Sequence, residues 1–118
     1  MTVRRRRASV TPIMQHYCSL IAEELLGWPK VTSRRMFGLT VFYGDGLPFV
    51  VLPDTKDFAA ADRVGFNLHR TSEAERRRLL EDEHIDCRKG GQWITFALRN
   101  DRDVALFLRW AEKAYRSC

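Results

Sequence analysis

Leu39-Thr40-Val41-Phe42-Tyr43-Gly44-Asp45-Gly46-Leu47-Pro48-Phe49-Val50-Val51-Leu52 is the stretch that decides the fold. Its first five residues are β-branched or aromatic apart from Leu39, the composition a pleated, half-buried surface accommodates best. Gly44-Asp45-Gly46 is a turn signal, because Gly46 can take the left-handed conformation that a short hairpin loop requires. Phe49 to Leu52 is apolar at every position, which predicts a strand covered on both sides. Pro48 has no donor, so it belongs at the start of that strand or at a sheet edge. The stretch therefore predicts an antiparallel hairpin near the middle of a sheet.

Upstream, Val31-Thr32-Ser33 leads into Arg34-Arg35-Met36-Phe37 and Gly38 punctuates the run. Strand alternation sends Arg34 and Arg35 to opposite faces. Met36 and Phe37 read as a large apolar pair packed inward before the glycine bends the chain. Before this, Thr11-Pro12 supplies a capping hydroxyl and a proline for the first helical turn. Met14, Tyr17, Cys18, Ile21 and Leu25 then recur at helical spacing, and Gly27 and Pro29 end the helix, predicted over residues 12–26.

Downstream, Pro53-Asp54-Thr55 breaks the strand. Residues 56–62 suggest one helical turn around Phe58, and Val64 to His69 a short strand. Thr71 or Ser72 opens a second helix, with Ser72 and Glu75 in the capping-box pattern. Leu79 and Leu80 are its apolar anchors, which makes it peripheral. Gly90-Gly91 forms a turn into a strand from Gln92 to Leu98. In the last helix Asn100 is the cap, and Val104, Phe107, Leu108, Ala111 and Tyr115 share one face. The expected fold class is α+β: a mostly antiparallel sheet of four to five strands, helices at both chain ends packed on it, and one peripheral helix.

The 118 residues carry a net charge of +5, but Arg4, Arg5, Arg6 and Arg7 supply four of those charges and leave the rest near +1. Residues 1–10 therefore read as a disordered basic arm, and residues 11–118 as a single domain of ordinary size. If the arm binds anything, phosphate is its partner, since guanidinium offers that group a planar fork of donors. Glu23 and Glu24 interrupt the apolar segment behind the arginines, which argues against a signal peptide or a membrane span. Cys18, Cys87 and Cys118 are odd in number and widely spaced, as reduced thiols of a cytoplasmic protein would be.

The catalytic chemistries find little to stand on. His84-x-x-Cys87 has a usable metal spacing but no second pair, and a site needs three or four ligands. His16 and Cys18 point to different faces of the first helix. Cys18 sits on the apolar stripe and belongs to the core. Cys87 falls in a predicted loop beside Arg88 and Lys89 and reads first as a plain surface cysteine; those neighbours would lower its pKa, which makes it the candidate reactive thiol. Gly44-x-Gly46 lacks the following helix of a phosphate loop. Glu81, Asp82 and Glu83 follow Arg76, Arg77 and Arg78 at spacings that neutralise a helix surface, with Arg77 reaching Glu81. Trp28, Trp93 and Trp110 read first as core residues. Trp110 lies off the main stripe of its helix, so it also marks a candidate partner contact.

Val31-Thr32-Ser33-Arg34-Arg35-Met36-Phe37-Gly38, then Val41-Phe42 and Leu47-Pro48-Phe49, resembles the amino-terminal domain of the TfoX/Sxy family. Gly91-Gln92-Trp93-Ile94-Thr95-Phe96 and Leu108-x-Trp110-Ala111 are similar to that domain's closing strand and helix. The resemblance covers most of residues 12–116 in order, with Arg34/Arg35-Met36-Phe37-Gly38 as its sharpest element. It implies a small α+β domain in a bacterial family named for regulators of DNA-uptake competence, with no catalytic residues and no cofactor. The expected function is a non-enzymatic binding domain. A nucleic-acid partner would meet Arg4 to Arg7 and Arg34 or Arg35; a protein partner, a second copy included, would meet Trp110 or the sheet edge near Pro48. The rival is a small enzyme or ligand-binding domain with a pocket near Cys87, His84 or His69.

Overall fold

Thr11 Oγ1 accepts the Met14 N–H at 3.3 Å and Pro12 occupies the first turn, so α1 runs over Pro12–Leu26. This computed structural model describes residues 10–87 and 93–118; Arg4 to Arg7, Arg88, Lys89 and Gly90-Gly91 lie outside the described residues. Val10 belongs to the domain rather than to an arm: it is buried, and its carbonyl accepts Gln15 Nε2 at 3.2 Å.

After α1 come β1 (Val31–Met36), β2 (Leu39–Gly44), β3 (Leu47–Pro53), β4 (Arg63–Phe66), α2 (Glu73–Leu79), β5 (Ile85–Cys87), β6 (Ile94–Ala97) and α3 (Asp101–Arg116). The fold is α+β. Its sheet has six strands in the order β1-β2-β3-β4-β6-β5, every neighbour antiparallel. The four to five strands expected from the sequence omit β5, where Cys87 pairs with Ile94 instead of lying in a loop. The other strand shifts are small: the one expected over 64–69 ends at Phe66, and β6 begins at Ile94.

The hairpin over residues 39–52 forms as its composition dictates. Gly44 pairs with Leu47 across a two-residue turn in which Asp45 and Gly46 have φ of 51° and 82°, the left-handed values a tight hairpin needs. Phe42 faces Val50 while Tyr43 faces Pro48, so Phe49 is an extra residue that bulges β3. Both Phe49 and Val50 join the core, together with Phe42, Leu52, Val64, Phe66, Ile94 and Phe96. α1 and α3 lie on that face, placing Ile21, Leu25, Phe107 and Ala111 against the sheet. At the far end, Tyr115 Oη donates to the Pro29 carbonyl at 2.7 Å and clusters with Trp28 and Phe49.

The opposite sheet face has a smaller apolar patch. Val41 and Val51 are buried there, and Phe58 with Trp93 packs edge to face across it at 6.3 Å. Phe58 does this from a bend bridged to Ala60, not from the expected helical turn. Gly65 makes the close approach possible, since a Cβ there would stand 2.6 Å from Val51 Cγ1 and 2.7 Å from Phe58 Cε2.

Two further expectations are corrected. Leu79 anchors α2, but Leu80 is exposed, because the helix has ended before it. For the same reason Arg77 pairs backward with Glu73 at 3.8 Å rather than forward with Glu81. The Met36-Phe37-Gly38 stretch departs most. Met36 pairs with Leu39, so Phe37 and Gly38 are the two turn residues of a second tight hairpin, with φ of 54° and 78°. Phe37 is not packed inward; it is 85% exposed.

Candidate functional site

The chain leaving β4 is fixed to two other elements before it reaches α2. Asn67 N–H donates to the Phe49 carbonyl at 3.0 Å, and His69 Nε2 lies 2.7 Å from the Pro48 carbonyl. His69 N–H donates to Ser117 Oγ at 3.0 Å, whose own hydroxyl donates to the Ala114 carbonyl at 2.6 Å. Ser72 then starts α2 with a complete capping box: its Oγ accepts the Glu75 N–H at 3.1 Å, and Glu75 Oε1 accepts the Ser72 N–H at 3.3 Å.

This bracing holds α2 and the last turns of α3 apart as the walls of a cleft of about 410 Å³, within the range that small ligands occupy. Leu68, Leu79 and Trp110 are its apolar lining, and Arg70, Arg78, Lys113 and Arg116 stand around it against one carboxylate, Glu75. Arg116 pairs with Glu112 at 3.3 Å; Arg70, Arg78 and Lys113 have no carboxylate within ion-pair distance among the described residues. Lys113 and Arg116 fall in the last turn of α3, whose carbonyl end favours cations and holds them there without a ligand.

Trp110 is half-buried, between the core and the open surface the sequence left as alternatives. Its ring stacks on Phe66 at 5.6 Å and 19°, while Lys113 Nζ lies 5.1 Å from the ring centroid. Core packing and a cation thus occupy the ring, so the cleft offers charge and an aromatic wall rather than a free stacking platform.

Beside the cleft, His84 is gripped between two carboxylates. Its Nδ1 lies 2.9 Å from Asp82 Oδ1 and its Nε2 lies 2.9 Å from Asp103 Oδ1. The ring lies flat on Phe96 at 5.0 Å and 8°, and the His84 carbonyl accepts both Ala97 N–H and Arg63 Nη1. Only the imidazolium donates from both nitrogens, so this geometry suits the charged ring. Its pKa is raised, most of all by the hydrogen bond to Asp82 and further by the charges of both carboxylates, against an opposing effect of burial. For Asp82, burial pushes upward, but the His84 backbone and ring donors, its charge and the Trp110 indole together bring the pKa below the ordinary value. Asp103 is almost fully buried and also accepts the Arg99 N–H at 2.9 Å. With both ring nitrogens engaged, His84 is a clamp joining the α2–β5 turn to the start of α3.

The remaining candidates are dispersed. Cys18 is buried beside a second cleft of about 430 Å³, and burial, with the charge of Asp54, pushes its thiol up to about 12. Neither cleft is lined by His84 or His69. Among the described residues no group of three or more His, Cys, Asp or Glu is placed to hold a metal ion, and no helix is long and apolar enough to cross a membrane. Arg34 and Arg35 are both exposed on β1; Arg35 is tied to Asp54 at 2.8 Å, and neither bonds to any residue of the Trp110 cleft. No family model, no characterised protein and no solved structure matches the chain.

Of the cleft residues the sequence marks Trp110 alone as a partner contact; Thr71, Glu75, Arg78 and Leu79 read in it only as parts of the second helix. Trp110, Lys113 and Ser117 fall at i, i+3 and i+7, a spacing that places them on one face of α3. Arg70 and Arg78 come from other segments, and only the fold brings them there. Asp103 carried a local signal, three residues after the Asn100 cap, where acidic side chains serve helix starts.

Proposed function

We propose that this chain is a non-enzymatic regulatory domain of the TfoX amino-terminal kind, and that it binds nucleic acid through backbone phosphates at the Trp110 cleft. One observation carries the reading: Arg70, Arg78, Lys113 and Arg116 converge on a single cleft, three of them without a counter-charge among the described residues. Arg and Lys donors arranged around a concavity suit phosphate oxygens, and such contacts fix position without reading sequence. The occupied faces of Trp110 favour this over an apolar docking site for a protein. The absence of catalysis is supported by a clamped His84 and by a Cys18 thiol too basic to ionise near neutrality. In this reading Arg4 to Arg7 add a sequence-independent phosphate-contacting arm, and competence regulation is the process the resemblance suggests.

Fluorescence anisotropy with a labelled 16-base-pair duplex over a salt series tests it. Each phosphate contact contributes about 0.9 to the slope of log affinity against log salt. Replacing Arg78 and Lys113 by Gln flattens the slope by about 1.8, and deleting residues 1–9 flattens it by about 3.6 if all four arginines make contact. Absence of binding by the intact chain at low salt overturns the proposal.

A further inference from the structure

Phe37 stands in a place that the fold gives no reason to fill with an aromatic residue. It is 85% exposed, the most exposed of the large apolar side chains described. It also sits at φ 54° in the first position of a two-residue turn, where Asn, Asp or Gly fits and a bulky side chain is strained. A polar turn residue would relieve both penalties at once. The tip is nonetheless firmly held: the Gly38 carbonyl accepts the N–H groups of Asp54, Thr55 and Lys56 at 3.0, 2.9 and 3.1 Å. The surroundings are cationic. Arg34 and Arg35 precede the tip on β1, the Lys56 side chain packs against Gly38, and Asp54 is the carboxylate paired there, with Arg35.

We infer that the β1–β2 hairpin is a nucleic-acid wedge: Phe37 enters between adjacent base pairs of a duplex while Arg34 and Lys56 hold the flanking phosphates. Inserted apolar side chains of this kind unstack a base step and kink the helix, and a two-stranded ribbon is narrow enough to enter a groove. The tip adjoins the Pro53 end of β3, and the Trp110 cleft adjoins its Pro48 end. A seven-residue strand therefore puts roughly 20 Å between them at about 3.3 Å per residue. That span corresponds to about six base pairs at 3.4 Å each. The wedge rests on the phosphate-binding reading and adds to it a deformation of the bound duplex.

Phe37→Asn is the discriminating variant, because Asn tolerates the left-handed turn. A 16-base-pair duplex carries 2-aminopurine at a central T–A step, the kind of step that kinks most readily, and end labels report bending by energy transfer. The wild-type chain is expected to brighten the 2-aminopurine and shorten the end-to-end distance. Phe37→Asn is expected to do neither and to bind roughly tenfold more weakly with the same salt slope, while its Tm rises by roughly 2–6 °C. Salt-dependent binding by the wild type without unstacking, or equal unstacking by Phe37→Asn, overturns the wedge and leaves phosphate binding standing. No binding by the wild type at low salt overturns both.

Discussion

Replacing His84 by Phe keeps a flat ring against Phe96 but removes both donors from the Asp82–His84–Asp103 clamp. The two lost contacts are unequal. Asp103 is 4% exposed at its side chain and keeps only the Arg99 N–H and its own helix start around it. Leaving a buried charge without its partner costs about 3–5 kcal/mol. Asp82 is 30% exposed and can recruit water, so its share is discounted to about 0.5–1 kcal/mol. His84→Phe is therefore expected to lose about 3.5–6 kcal/mol near pH 6, a large part of the 5–15 kcal/mol of an ordinary domain. For a chain of this length that lowers Tm by roughly 10–30 °C. The pH dependence carries the sharper test. The pKa of His84 is raised in the folded state, so its contribution is complete below the unfolded value of about 6.5 and is lost as pH rises through the folded value. That loss has a limiting slope of about 1.4 kcal/mol per pH unit for one proton. Asp82, with its pKa lowered, contributes above its unfolded value of about 3.9 and loses that contribution as pH falls through the folded one. Urea unfolding followed by circular dichroism at pH 6 and pH 9 should give a gap between wild type and His84→Phe that narrows at the higher pH. A gap of the same size at both values would refute the charged clamp and leave His84 as a packing residue.

Gly65→Ala places a Cβ 2.6 Å from Val51 Cγ1 and 2.7 Å from Phe58 Cε2, and urea unfolding should show a loss of about 1–3 kcal/mol as that patch is forced apart. Ser72→Ala removes the Oγ that accepts the Glu75 N–H at 3.1 Å, and should cost about 1 kcal/mol in the same assay. The same substitution should weaken duplex binding slightly, because α2 carries one wall of the Trp110 cleft. Cys18, with its thiol pushed up to about 12, should resist an aromatic disulfide reagent in the folded protein at pH 8 and react once urea is added. Peptide mapping of the labelled protein identifies the site.

The central hairpin was legible because local and tertiary demands agree there: alternation, an Asp-Gly turn and a run of apolar residues all ask for the same structure. The helix starts were legible for a similar reason, since Thr11-Pro12, Ser72 with Glu75, and Asn100 satisfy orphan N–H groups from within their own segments. β5 was not, because three residues are too few to make a periodic pattern, and the strand exists through its pairing with β6. Phe37 misled because hydrophobicity alone sends it inward. The register is set instead by the Met36–Leu39 pair and by three donors that reach the Gly38 carbonyl from Asp54, Thr55 and Lys56, at least sixteen residues away in the chain. The clamp and the cleft were hidden for the same physical reason. Asp82 and His84 share one turn but meet Asp103 from another segment, and Arg70, Arg78 and Lys113 likewise come from separate segments that only the folded chain brings within reach of one another.

Positive charge on this surface does not all call for the same explanation. Arg34 and Arg35 lie on β1, an edge strand, where charged side chains discourage pairing with another chain whether or not anything binds. Arg35 also has Asp54, so its place is explained by the fold alone. Arg77 with Glu73, and Arg116 with Glu112, are pairs one helical turn apart of the kind any exposed helix carries. Lys30, Lys56, Arg76, Arg102 and Arg109 also have no ion pair among the described residues, so what sets Arg70, Arg78 and Lys113 apart is that they line one cleft, as its turn sets Phe37 apart. Holding three cations around a shared concavity raises the energy of the empty protein, and a strained, solvated aromatic does the same. Arg78 and Lys113 recover part of that at the carbonyl ends of their helices, and Lys113 also over the Trp110 ring, whereas Phe37 at 85% exposed recovers none by burial. A polyanion that can be clasped at one end of β3 and wedged at the other would lower both energies together. For that reason both variants, Arg78→Gln with Lys113→Gln and Phe37→Asn, are expected to weaken the hold on a duplex, and Phe37→Asn, which gives up no contact of the kind Lys113 makes with Trp110, is expected to stabilise the free chain as well.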